Sequence, residues 1–270
     1  MSTDKIPIFD SLTHPTISGA WIDDKKYPLN NIEYLSAEMK RHNVRWAFAA
    51  GMKNIGGYVE QKYMDFIKHN SENIFPLGFF DFQKVKSQKD IRTYLQKLNQ
   101  LGYVGIKIHP RLSAITINDK LLPAIINRAS DMGLMVFICT YFYNNLKNSP
   151  FNSVDNLYHL LFKVKNSKII LLHSGSVRLL EMMEIARAYN NILLDLSFTL
   201  CKYEGSAMDL DIQYLFRNFD RRICIGSDSP EFDLRMLRER FQFFSEKIDT
   251  VKAENIAFRN IINFTGLPIK

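Results

Sequence analysis

Repetition constrains this chain more than any other feature. Short apolar runs rich in β-branched and aromatic residues alternate with longer amphipathic stretches from one end to the other. The runs predict eight strands, at 6–13, 44–50, 74–80, 104–109, 134–140, 168–173, 191–197 and 222–227. Between them, apolar residues at helical spacing predict helices at 32–42, 59–70, 88–101, 120–132, 154–164, 177–189, 209–218 and 234–244, with 254–264 as an extra C-terminal helix. Gly102 and Gly133 follow two of these helices as residues able to take positive φ, and Ser87 and Ser153 precede helices as N-caps. No Pro/Ser-rich linker or composition break interrupts the pattern, so one domain over 1–270 is expected. Eight strand–helix units in series predict an α/β fold, a (β/α)8 TIM-type barrel. No G-x-G-x-x-G or G-x-x-x-x-G-K-[ST] follows any strand, which argues against an open dinucleotide-binding sheet.

Composition narrows the function classes. The 270 residues are 46% apolar and 23% charged, which excludes a disordered or fibrous chain. The formal charge is +7, but the basic groups (Lys163/Lys165/Lys168, Arg221/Arg222 and Arg235/Arg238/Arg240) are scattered. Without an aromatic-interleaved stripe they read as solvated helix faces, and no nucleic-acid partner is expected. No apolar run approaches the roughly 18 residues of a membrane span, and Asp4 and Asp10 interrupt the N-terminal stretch where a signal peptide would be greasy. A cytoplasmic protein is expected. Cys139, Cys201 and Cys224 are too few and too scattered for a disulfide framework, so free thiols in a reducing compartment follow.

In such a barrel the chemistry sits at the C-terminal ends of the strands. Those ends carry His14, Lys53, Asp81, Lys107 and His109, Cys139 and Tyr141, His173, Asp195 and Ser197, and Asp228. Three of the chain's six histidines end strands, and imidazoles and a carboxylate converging on one mouth would be costly to bury unpaired.

The segments FDSLTHP (9–15), GIKIHP (105–110), LLHSG (171–175), IGSDSP (225–230) and NIAFRNIINF (255–264) resemble, in this order, the amidohydrolase superfamily. They are most similar to its amidohydrolase-2 branch, which includes aminocarboxymuconate-semialdehyde decarboxylase-like and 2-pyrone-4,6-dicarboxylate lactonase-like enzymes. The resemblance implies a His-x-His pair on strand one, a His on strand five, a His on strand six and an Asp on strand eight, gathered around a divalent metal. His14, His173 and Asp228 match this pattern. Leu12 and Cys139 stand where the other two histidines would be. His14, Cys139, His173 and Asp228 nevertheless form an N, S, N, O set acceptable to zinc. The resemblance to lactonase-like enzymes also implies a metal-free version, in which Lys, Arg and His groups stabilise the oxyanion, and with Leu12 and Cys139 in two ligand positions this is the competing expectation.

The roles that follow are Asp228 as general acid or base, His14 and His173 as ligands or carbonyl polarisers, and Lys107 and His109 orienting an anion. Cys139 reads as a buried hydrophobe, a metal ligand, or a thiolate nucleophile activated by His109 or His173. Tyr141, with Tyr143, Asn144 and Asn145, either lines the pocket or packs under a loop. The expected function is hydrolysis or non-oxidative decarboxylation of a small carboxylated or cyclic compound. The alternative is a barrel that has lost catalysis and serves in binding or assembly. The surface helices leave room for a homodimer, with no stripe marking its interface.

Overall fold

The computed structural model describes residues 3–22, 29–143, 150–164 and 167–269, so Asn144, Asn145 and Lys165 lie outside the described residues. Eight parallel strands run in sequence order around one sheet: β1 Ile8–Thr13, β2 Val44–Ala50, β3 Ile74–Phe79, β4 Gly105–Ile108, β5 Met135–Cys139, β6 Ile169–Leu172, β7 Ile192–Asp195 and β8 Ile223–Cys224. Backbone bonds close β8 onto β1, from Ser11 N–H to Ile225 O at 3.0 Å, Asp228 N–H to Leu12 O at 2.9 Å and His14 N–H to Ser229 O at 2.7 Å. The fold is a TIM barrel.

A major helix follows every strand, from Ile32–Arg41 after β1 to Leu234–Ser245 after β8. Their starts are set locally: Ser87 accepts from Asp90 N–H and Ser153 from Asn156 N–H, while Gly102 ends its helix at φ +97°. Short helices at Pro110–Ser113 and Thr199–Lys202 sit just past β4 and β7 and add side chains to the barrel mouth. The chain from Thr250–Glu254 through a π turn at Asn255–Arg259 to Asn260–Thr265 supplies the extra C-terminal helix. Its Phe258, Ile261 and Ile262 pack into the barrel's inner apolar cluster.

That cluster is the floor of the site. Phe9, Leu12, Phe48, Leu77, Phe137 and Leu172 fill the interior, with Phe48 4.9 Å from both Phe9 and Phe137 between ring centroids. Each such side chain contributes roughly 1.5–3 kcal/mol by leaving water. Alternation alone would put residues 9 and 12 on opposite faces, yet both point inward, because the β1–β2 register shifts between Asp10 and Thr13.

Candidate active site

Between this floor and the mouth lies a layer of buried polar groups. Asp10 accepts from Ser227 N–H at 2.9 Å, Ser227 Oγ at 2.6 Å and Leu12 N–H at 3.2 Å. Gly226 makes the approach feasible, since a Cβ there would lie 2.4 Å from Ser11 Oγ and 2.9 Å from Asp10 Oδ1. Burial pushes the Asp10 carboxyl up to about 7, against the lowering effect of the Ser227 and Leu12 hydrogen bonds. Asp195, also raised by burial, accepts from His173 N–H at 3.1 Å, Ser197 N–H at 2.9 Å, and the hydroxyls of Ser11 and Ser197.

Above this layer opens a cavity of about 660 Å³, the space in which a substrate would sit. His14, Lys107, His109, Tyr141, His173 and Asp228 all line it. His14 Nδ1–H donates to Ala50 O at 2.7 Å, which leaves the lone pair on Nε2. That nitrogen lies 2.9 Å from Lys107 Nζ and 3.3 Å from Asp228 Oδ1. Burial, with the Lys107 charge second, holds His14 below its ordinary pKa, so it is neutral and accepts from the ammonium. Burial also lowers the Lys107 pKa, opposed by the Asp228 and Cys139 charges. For Asp228, burial would favour the neutral form, but His173, His14 and Lys107 outweigh it and hold the carboxyl at about 2.

His173 is oriented from behind. Its Nδ1 lies 3.1 Å from Ser197 O and 3.2 Å from Ser197 Oγ, while its carbonyl accepts from Thr199 Oγ1 at 2.6 Å. Burial would lower its pKa, yet Asp228 and Cys139 raise it above the ordinary value. Cys139 is buried beside His109 and His173; burial would push its thiol up, and the two imidazoles pull it well down instead. Three non-glycine residues of the cavity wall, His173, Phe198 and Asp228, hold positive φ of 65°, 65° and 59°. Each such conformation costs of order 1–3 kcal/mol and persists only where the surroundings enforce it.

Several groups in the wall were not read from the sequence. Arg111 follows His109 by two residues, in the short helix after β4, and its guanidinium lies 4.9 Å over the Tyr141 ring with Nη2 3.9 Å from Cys139 Sγ. Its Nε is buried without a hydrogen-bond partner among the described residues. Trp21 stacks on His14 at 5.2 Å and donates Nε1–H to Glu231 at 3.1 Å. Phe198 packs edge-on to His173 and Tyr141, and Lys202 lies at the rim, 5.8 Å from the Phe198 ring. The strand-end residues Lys53 and Asp81 pair with each other at 2.8 Å in a separate cavity of about 230 Å³. Asp195 and Ser197 lie below the wall and act on it through His173.

A divalent metal does not fit this donor set. Lys107 Nζ covers His14 Nε2, the nitrogen that would bind, and Leu12 is part of the apolar floor. Among the described residues, no group of three or more His, Cys, Asp or Glu side chains is disposed to hold a metal ion. Nor does any helix there have the length and hydropathy to cross a membrane.

Solved structures place this geometry among known barrels. An uncharacterised TIM-barrel protein from Bordetella bronchiseptica is 15% identical and superposes with a TM-score of 0.79 over 97% of this chain and 100% of its own. A dihydroxybenzoic acid decarboxylase from Polaromonas sp. JS666, with bound manganese and 2-nitroresorcinol, is 12% identical with a TM-score of 0.73 over 98% of each chain. A probable 2-pyrone-4,6-dicarboxylic acid hydrolase from Acinetobacter baumannii, with citric acid bound, is 13% identical with a TM-score of 0.68 over 96% of this chain and 99% of its own. The likeness is one of fold. No family-level sequence profile and no curated protein sequence matches the chain.

Proposed function

We propose that this protein is an enzyme of amidohydrolase-2 type that removes a carboxylate, non-oxidatively, from a small carboxylated substrate held in the 660 Å³ cavity, with chain cations in place of a metal. The observation that carries the reading is Arg111. Its guanidinium stands in the cavity wall 4.9 Å over the Tyr141 ring, where an entering carboxylate would meet a planar cation with several donors. The cavity's charge agrees: Lys107, Arg111 and Lys202 face two carboxylates, Asp228 and Glu231, and the latter already accepts from Trp21. Trp21, Tyr141 and Phe198 give flat apolar walls suited to a planar ring or conjugated acid.

The roles follow from the placement. Arg111, with Lys202 at the rim, receives the carboxylate. Lys107 meets a substrate oxygen on which negative charge develops as the C–C bond breaks. The carbon left behind needs a proton, and His173 is the imidazole whose protonated form Asp228 and Cys139 favour. His109 orients the anion. Citric acid in the Acinetobacter structure and the decarboxylases among the similar folds support the assignment. Hydrolysis is the second reading, favoured by Asp228, which is ionised and beside a neutral imidazole as a base for water would be.

The test is a panel of small aromatic, pyrone and unsaturated carboxylic acids, followed by CO2 release and by loss of the starting compound. Turnover abolished by Asp228→Asn supports an enzyme. Saturable binding with no chemistry anywhere on the panel would leave the binding role.

A further inference from the structure

Lys107 offers more than charge. Its amine is at the cavity wall, within a residue only 1% exposed, and the proton it must lose to become a nucleophile has an acceptor, His14 Nε2, 2.9 Å away. Asp228 lies 3.3 Å from that same nitrogen, placed to stabilise the imidazolium formed when His14 takes the proton. An amine, a base and a carboxylate gathered in one cavity are the parts that imine formation requires. We propose that Lys107 forms an imine with a 3-oxo acid bound in this cavity, and that the iminium is the electron sink for decarboxylation. This inference rests on the decarboxylase reading and specifies its substrate as a carboxylate with a ketone one carbon away.

The chemistry balances with groups already described. His14 takes one proton from the ammonium, and the Nζ lone pair attacks the ketone carbon while the C=O π pair moves to oxygen. A second proton passes from nitrogen to that oxygen, giving a carbinolamine. His14 returns its proton to the hydroxyl, which leaves as water, and the nitrogen lone pair closes the iminium. The bond between C2 and the carboxylate then breaks, its electron pair flows toward the iminium to form an enamine, and CO2 departs. The former C2 takes a proton from His173. Water adds to the resulting iminium, its two protons pass by way of His14 to the nitrogen, and the C–N bond breaks to leave a ketone and the Lys107 ammonium, with His173 reprotonated from solvent. No oxidant, reductant or metal enters. Arg111, in the same cavity wall, is the group that would hold the carboxylate during attack.

The experiment is borohydride trapping. Purified protein is mixed with acetoacetate, 3-oxoglutarate or benzoylacetate, reduced with sodium borohydride, and examined by intact mass and peptide mapping. The expected result is one stable adduct per chain, mapped to Lys107, unchanged in Lys53→Arg and lost to background in Lys107→Arg. The charge-preserving variant is checked for folding by circular dichroism. Absence of an adduct with all three acids overturns the proposal, as does labelling that spreads over surface lysines and survives Lys107→Arg. A parallel titration of intrinsic Trp fluorescence with benzoate separates the two levels of the argument. Benzoate binding without a trapped adduct overturns the imine alone, whereas failure of both removes the carboxylate-binding reading beneath it.

Discussion

Lys107 Nζ and His14 Nε2 lie 2.9 Å apart, while the other nitrogen of the His14 ring is committed to the Ala50 carbonyl at 2.7 Å. Both nitrogens of the His14 ring are thus engaged, and a chain cation covers the one that would bind a metal. Elemental analysis of protein purified without chelator is therefore expected to find far less than one zinc or manganese per chain, and EDTA is expected to leave turnover unchanged. One ion per chain, removable with loss of activity, would restore the metal-ligand set His14, Cys139, His173 and Asp228.

Arg111 separates binding from stability. Replacing it with Gln removes an Nε–H that is buried without a partner among the described residues, along with the stacking on Tyr141, so the melting temperature should change little. Carboxylate affinity should fall by roughly 10- to 100-fold, the loss of a charge-assisted hydrogen bond of about 1.5–3 kcal/mol. Calorimetric melting and ligand titration on the same preparation check both halves; a large drop in melting temperature would mean that Arg111 is structural.

Asp10 gives a stability–pH signature. Its carboxyl titrates at 3.8 ordinarily and at about 7 in the folded chain, so between those values the native state keeps a proton that the unfolded state releases. Stability must then fall as pH rises through this window, by an amount of order a few kcal/mol from this group. Asp10→Asn mimics the protonated carboxyl, since its amide can donate to Ser227 Oγ, and should flatten that decline. Urea unfolding at intervals from pH 4 to 8 decides it, and identical slopes for the two proteins would remove Asp10 as the cause.

The Ser197 hydroxyl positions His173 from below, 3.2 Å from Nδ1. Ser197→Ala should lower kcat by roughly tenfold, as about 1 kcal/mol of orientation is lost, with KM nearly unchanged. Steady-state kinetics on the first confirmed substrate provides the comparison, and a change confined to KM would contradict the role.

Much of this was legible from the residues, for physical reasons. The eight strands and their helices could be read because buried parallel strands and amphipathic helices impose different periods on apolar residues. His14 and Asp228 were expected to be neighbours and are 3.3 Å apart. Arg111, Lys202 and Phe198 escaped notice because they sit in or beside one-turn helices after the strands, where neither period applies. Trp21 lies in a segment without regular structure. The inward turn of both Phe9 and Leu12 depended on a register shift that no local pattern marks. Asp195 ends a strand like the lining residues but points into the polar layer, a difference set by its hydrogen bonds to Ser11 and Ser197.

The central claim is that the barrel mouth recognises a small carboxylate through Arg111, and isothermal titration with pyridine-2,6-dicarboxylate tests it most directly. Saturable one-site binding by the native protein, weakened at least about tenfold in Arg111→Gln, is the predicted result. No binding, or equal binding by the two proteins, would contradict the account.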